Sequence, residues 1–252
     1  MIRIYCFLDC EFTTEKPIEL ISIGAVILDE KLKETDEFYS LVRPKTASIS
    51  KFCQNLTHIT EEEVEQANEF HTVINSFEKF LMKYNIRIMF VWGNFDYTGL
   101  KSTIQENEYK GEFSKYLKKV KNIQPKICRI TNDIYKNPSW SLKNMKYMYG
   151  LEQTVAHNAL EDARDLSKIF QLYKTKEPYR ERIIELGIEK RKKEIFYENK
   201  NIEVLKDSIF ELFVKIGRKK LKLIKLNNEL EVTKERLSDL ELKFKEIKER
   251  AK

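Results

Sequence analysis

Asp9 and Glu11 are separated by one residue in the stretch Phe7-Leu8-Asp9-Cys10-Glu11-Phe12-Thr13, at the end of an apolar run, Met1 to Leu8, rich in β-branched and aromatic side chains. Side chains alternate along a strand, so the two acids share one face and Cys10 takes the other. Like charges held beside apolar surface repel and lose hydration unless a cation lies between them. A hard divalent metal ion, with its preference for oxygen ligands, meets that need. Two further acids have suggestive surroundings. Asp96 follows the apolar run Ile86 to Trp92 and the breaker Gly93-Asn94, and Asp162 stands five residues after His157, in the first turn of an expected helix. Each alone is weak evidence and reads more readily as an ordinary capping acid after a strand or at a helix start. Together the four acids and the histidine form a far more specific pattern.

The elements that must position them alternate in type. Glu19 to Leu28 and Glu37 to Val42 read as second and third strands, joined by the polar turn Asp29-Glu30-Lys31 into an antiparallel meander. Residues 60–67 and 71–83 have helical spacing, with Thr60 and Glu63 as a capping box. Ile86 to Trp92 predicts a fourth strand, Asp96 opens a helix towards Asn107, and Ile123 to Ile130 predicts a fifth strand. Helices follow over Ser141 to Tyr149, closed by Gly150, and Asn158 to Tyr173, with Asn158 as N-cap. This order predicts an α/β domain over residues 1–177 with a mixed five-stranded sheet flanked by helices.

Residues 178–252 differ in period and charge. From Ile195, apolar residues recur every seventh position through Ile202, Ile209, Ile216, Leu223, Leu230, Leu237, Phe244 and Ala251, with companions Leu205, Leu212, Leu226, Leu240 and Ile247, while Glu198, Lys219 and Thr233 break the seam. A heptad this long predicts a long helix in a coiled coil, and Ile at a with Leu at d favours a parallel pair, hence a homodimer. A helix folded back on its own domain is the alternative. From Pro178 on there are 21 basic and 15 acidic residues, so the whole +6 excess of the chain lies there and residues 1–177 are neutral. The segment Arg218 to Lys225 suits a polyanionic partner, although a solvated helix face explains it too. No apolar run approaches a membrane span, and Met1 to Leu8 lacks the cleavage region of a signal peptide, so the expectation is a soluble, cytoplasmic protein without membrane contact. Cys6, Cys10, Cys53 and Cys128 have no C-x-x-C spacing and are expected to be reduced.

The series Asp9-x-Glu11, Asp96 and His157-x4-Asp162 resembles the DEDDh (DnaQ-like) 3′-to-5′ exonucleases over roughly residues 3–174. Supporting stretches are ELISIGAVILD, SKFCQNLTHIT, WGNFD, SLKNMKYMYGL and AHNALEDARDL. Ser50 to Thr60 and the Trp-Gly before Asp96 are most similar to the Eri1-like and KapD-like branch that trims RNA. The resemblance implies a ribonuclease H-like fold and hydrolysis at the 3′ end of single-stranded RNA or DNA, with RNA slightly favoured. It also implies two Mg²⁺ or Mn²⁺ ions held by Asp9, Glu11, Asp96 and Asp162.

Phosphodiester hydrolysis agrees with that set. Two such ions about 4 Å apart lower the pKa of water and clamp the attacking and leaving oxygens. A histidine, with an ordinary pKa near 6.5, suits the general base, which assigns His157. The resemblance implies that the backbone at Phe12 and Thr13 borders the terminal nucleotide, and Leu56 and Trp92 are candidates for stacking on bases, with core packing as the alternative for both. His58 occupies a position where the family often has glycine. Two rival readings are a proofreading subunit whose tail docks a polymerase, and a silent nucleic-acid-binding scaffold.

Overall fold

The apolar N-terminal run forms β1 (Tyr5–Phe12) in the computed structural model, which describes residues 4–45, 48–136, 139–152 and 157–250, the side chains of Leu240 and of residues 243–250 excepted. Residues 1–3 of the expected first strand, Ala251, and the side chains of Leu240, Phe244 and Ile247 lie outside the described residues. In chain order β1 is followed by β2 (Leu20–Leu28), β3 (Glu34–Leu41), α1 (Lys51–Thr57), α2 (Glu61–Glu65), α3 (Phe70–Lys83), β4 (Met89–Val91) and α4 (Phe95–Glu106). Next come α5 (Phe113–Tyr116), β5 (Val120–Asn122), α6 (Gln124–Cys128), α7 (Leu142–Tyr149), α8 (Ala159–Thr175) and α9 (Arg180–Arg250). The sheet has the order β3-β2-β1-β4-β5, antiparallel through the first three strands and parallel from β1 to β5. It is the mixed five-stranded, ribonuclease H-like sheet expected, flanked by helices and followed by a long C-terminal helix.

Strand alternation divides the interior. Cys6, Leu8, Cys10 and Phe12 face one layer with Phe77 and Leu81 of α3 and Leu100 of α4. Phe7, Val26 and Leu28 face the other, with Met145 of α7 and Leu166 and Phe170 of α8. Asp9 and Glu11 continue the Phe7 face towards the end of the strand. β2 is buried along its whole length, as a strand inside a covered sheet must be.

Several elements depart from the expectation. β4 spans only three residues. The fifth strand is Val120–Asn122, and the segment predicted as strand, Ile123 to Ile130, instead contains α6. Pro125 cannot donate to a ladder but fits a first helical turn, and Ile123, Ile127 and Cys128 then bury one helical face in the second core layer. α1, within SKFCQNLTHIT, starts at Ser50, whose hydroxyl accepts the Cys53 N–H at 3.1 Å. It ends at His58, which takes a left-handed φ of 59°. A glycine there would carry no Cβ strain, so the departure at His58 belongs to a turn. The Thr60–Glu63 capping box forms as expected.

The chain divides into two compact units, Met1–Ile188 and Glu189–Lys252. The first extends beyond residue 177 because the start of α9 contributes to its interior. Ile183 is buried in the second layer, the Tyr179 N–H donates to the Met148 carbonyl at 2.8 Å, and Arg182 donates to the Tyr147 carbonyl at 2.6 Å. In the second unit Ile202, Ile209, Ile216, Leu223, Leu230 and Leu237 are all exposed. All four cysteines are free and buried. Among the described residues no helix is long and apolar enough to cross a membrane.

Candidate active site

Asp9 pairs across the ladder with Gly24 of β2, and Glu11 with Ser22. Directly opposed residues of an antiparallel pair point to the same face, so Gly24 and Ser22 lie on the acid face. A Cβ on Gly24 would stand 2.4 Å from the backbone of Ala159 and Leu160. The first turn of α8 therefore rests on the Gly24 backbone, and only glycine allows it. Asn158 caps that turn, its Oδ1 accepting the Leu160 and Glu161 N–H groups at 3.2 and 3.1 Å. Asp162 is thereby brought to β1, and its Oδ2 accepts the His157 N–H at 2.9 Å. His157 is exposed and holds a left-handed φ of 68°. One ligand atom each from Glu11, His157 and Asp162 lie within 4.8 Å of one another.

Asp96 arrives from the parallel neighbour. β1 and β4 pair only at Cys6 and Phe7, then separate, and α4 begins in the gap. Asp96 Oδ1 accepts the Cys10 N–H at 3.0 Å. The four carboxylates thus gather at the carboxyl ends of β1 and β4, the crevice where open α/β sheets place ligands. Beyond them Lys146 of α7 and Asp165 of α8 form a buried ion pair, one helical turn past Asp162. Both fall on otherwise apolar helical faces with opposite charge, a signal that the sequence carries outside the motif itself.

The acids are out of balance without a cation. Burial pushes Asp9 well above the usual carboxylate range, and Asp96, Glu11 and Asp162 add repulsion. Glu11 is pushed up to about 8, first by burial and then by Asp162 and Asp96. Asp96 is pushed up to about 7 by burial, against the pull of backbone N–H donors including that of Cys10. Asp162 is also raised by burial, with the His157 N–H opposing. Four carboxylates that resist ionisation together, offering only oxygen donors, fit hard divalent cations.

A profile of the exonuclease family RNase_T matches residues 6–170, a span that contains all five site residues. The chain belongs to this exonuclease family. Among solved structures, a 3′-exonuclease described in 3′-end-specific recognition of a histone mRNA stem-loop is similar with TM-score 0.59 and 23% identity, over 70% of this chain and 66% of that one. The nuclease domain of 3′hExo, a DEDDh family member bound to rAMP, matches with TM-score 0.57 and 23% identity over 70% and 95%. The zinc-bound form of the E. coli ExoI–ssDNA complex matches with TM-score 0.56 and 17% identity over 69% and 41%. This chain therefore spans just under two thirds of the first. A comparison with curated protein sequences finds no match.

Around the acids of this exonuclease domain, the expected substrate contacts take different positions. Phe12 is buried, its ring packed on Gly99 of α4 and edge-on to Phe95. Thr13 is buried in the β1–β2 turn, its Oγ1 accepting the Glu19 N–H at 2.9 Å. α1 is held against this turn by the Cys53 thiol, which donates to the Phe12 carbonyl at 3.5 Å, and it carries Leu56 half-buried. Trp92 packs on the second core layer and donates its indole N–H to the Trp140 carbonyl at 3.1 Å, which is the packing alternative. Phe95, absent from the expected contacts, is 60% exposed beside Asp96. Its only signal in sequence was a large apolar residue at a helix start, where nothing local requires one.

Proposed function

We propose that the chain is a metal-dependent 3′-to-5′ exonuclease that removes nucleoside 5′-monophosphates from single-stranded nucleic acid, RNA slightly ahead of DNA. The observation that carries this reading is that Glu11, His157 and Asp162 bring one ligand atom each within 4.8 Å of one another while Asp9 and Asp96, from β1 and α4, lie close enough to repel the same acids. Asp9, Glu11, Asp96 and Asp162 would hold two Mg²⁺ or Mn²⁺ ions, which when bound supply positive charge to the phosphodiester and lower the pKa of water. His157, fixed at its backbone by Asp162 and exposed at its ring, takes the proton of the attacking water. Phe95 offers an exposed ring on which a terminal base can stack, with Leu56 of α1 as a second apolar contact. The tail is assigned as a coiled coil joining two copies, since its exposed apolar stripe keeps a heptad period.

The test uses 5′-labelled single strands of RNA and DNA with Mg²⁺ or Mn²⁺. Stepwise shortening from the 3′ end is expected, chelation should abolish it, and His157→Ala should lower kcat about 10²- to 10⁴-fold. Turnover at the wild-type rate in Asp9→Asn or His157→Ala protein would overturn the site assignment.

A further inference from the structure

Four carboxylates and the two divalent cations they would hold roughly cancel, so such a centre does little to attract the rest of a polyanionic strand, and that attraction must come from nearby. Between residues 113 and 132 the chain carries Lys115, Lys118, Lys119, Lys121, Lys126 and Arg129 and no acid, within a domain that is neutral overall. Two of these have local duties: Lys115 pairs with Glu112 at 2.6 Å, and Lys119 donates to the Ile86 carbonyl at 3.2 Å while covering the Tyr116 ring. Lys118 and Lys121 are exposed and have no hydrogen-bond or ion-pair partner among the described residues.

Both lysines line one cleft of about 460 Å³, together with Asn94, Tyr97 and Asn122. Its wall is the β4–α4 turn that delivers Asp96. Asn122 holds that turn, its Oδ1 accepting the Gly93 N–H at 3.1 Å and its Nδ2 donating to Asn94 Oδ1 at 3.2 Å. A Cβ on Gly93 would meet nothing within 4 Å, so this side of the turn is open. Tyr97, next to Asp96 in the chain, is 39% exposed and offers a ring face. A lysine on an edge strand also discourages pairing with another sheet, which accounts for Lys121 alone. It does not account for Lys118 or for the absence of acids.

Resting on the exonuclease reading, we propose that this cleft is a backbone-phosphate subsite for the nucleotides 5′ of the one removed, with Lys118 and Lys121 on phosphates and Tyr97 stacked on a base. The subsite draws the strand along the β4–α4 turn and sets its 3′ end against the acids. Binding is measured on the full chain in chelator, where no turnover occurs, by fluorescence anisotropy of a single-stranded oligonucleotide of about 12 residues across a salt series.

The Lys118→Gln/Lys121→Gln protein should show a log K against log salt slope shallower by about 1.4, at about 0.7 for each phosphate no longer neutralised. Tyr97→Ala should weaken binding about tenfold without changing the slope. With Mg²⁺ present, the kcat/KM advantage of the long strand over a dinucleotide should shrink in the double-lysine variant. An unchanged slope overturns the subsite, and so does an equal change in Lys126→Gln/Arg129→Gln protein, which removes the same charge outside the cleft. A lysine-dependent slope in a protein that never hydrolyses either strand would sink the exonuclease reading and leave the subsite standing. Hydrolysis with an unchanged slope would do the reverse.

Discussion

At the scale of single residues, the acids make the metal-free protein sensitive to pH in the direction opposite to most carboxylates. Glu11 is raised from an ordinary value of 4.5 to about 8, and Asp96 from 3.8 to about 7. The folded protein holds those protons more tightly than the unfolded chain, so their stabilisation is complete below about pH 4 and is lost as pH rises through 7 to 8. Unfolding in chelator should therefore show stability falling by on the order of a few kcal/mol between pH 5 and 8. Glu11→Gln should flatten that slope, and Mg²⁺ should raise Tm more at pH 8 than at pH 5. A metal-free stability that rises over this interval would contradict the arrangement. The residue types and their spacing were legible in sequence, because strand alternation alone puts Asp9 and Glu11 on one face. That Asp162 also receives the His157 N–H depends on a left-handed backbone at His157, which no propensity announces.

At the scale of elements, the site depends on how closely α8 approaches β2. Gly24 sits in a strand of otherwise large apolar residues, ELISIGAVILD, where glycine weakens a ladder unless backbone must come near. The close approach of Ala159 and Leu160 is that reason. Gly24→Ala should displace the first turn of α8, costing about 1–3 kcal/mol by overpacking and lowering turnover by more than the stability loss explains. Wild-type turnover in that variant would show that α8 is positioned by other contacts. α2, α3, α4, α7 and α8 were legible from caps and period, as Ser141, Asn158 and the Thr60–Glu63 box illustrate, whereas the short α1, α5 and α6 were not. β5 was not, because Ile123 to Ile130 is apolar enough for either element, and burial against α7 and α8 selected the helix.

At the scale of the whole molecule, the two units ask different things of α9. Its first turns complete the exonuclease unit through Ile183, whose burial is worth about 2–3 kcal/mol. A chain ending at residue 177 should accordingly unfold at lower denaturant than one ending at residue 188, with the difference near that value. Equal midpoints would place the boundary where charge and period put it. The rest of the helix leaves its apolar stripe exposed, so a full-length chain should sediment as a dimer and the 1–188 fragment as a monomer. Identical masses would refute the coiled-coil assignment.

The sequence by itself determined the types and order of the acids, the strand face that Asp9 and Glu11 share and the change of period after residue 177, since each is a property of local spacing. Tertiary structure decided what spacing cannot express. It set α8 on the bare backbone of Gly24, buried the Lys146–Asp165 pair beyond Asp162, and drew α9 into the core through Ile183. It also set Lys118 and Lys121 beside the turn that carries Asp96, because β5 pairs in parallel with β4. A cluster formed from β1, α4 and α8 exists only once the sheet order has brought the carboxyl ends of β1 and β4 together.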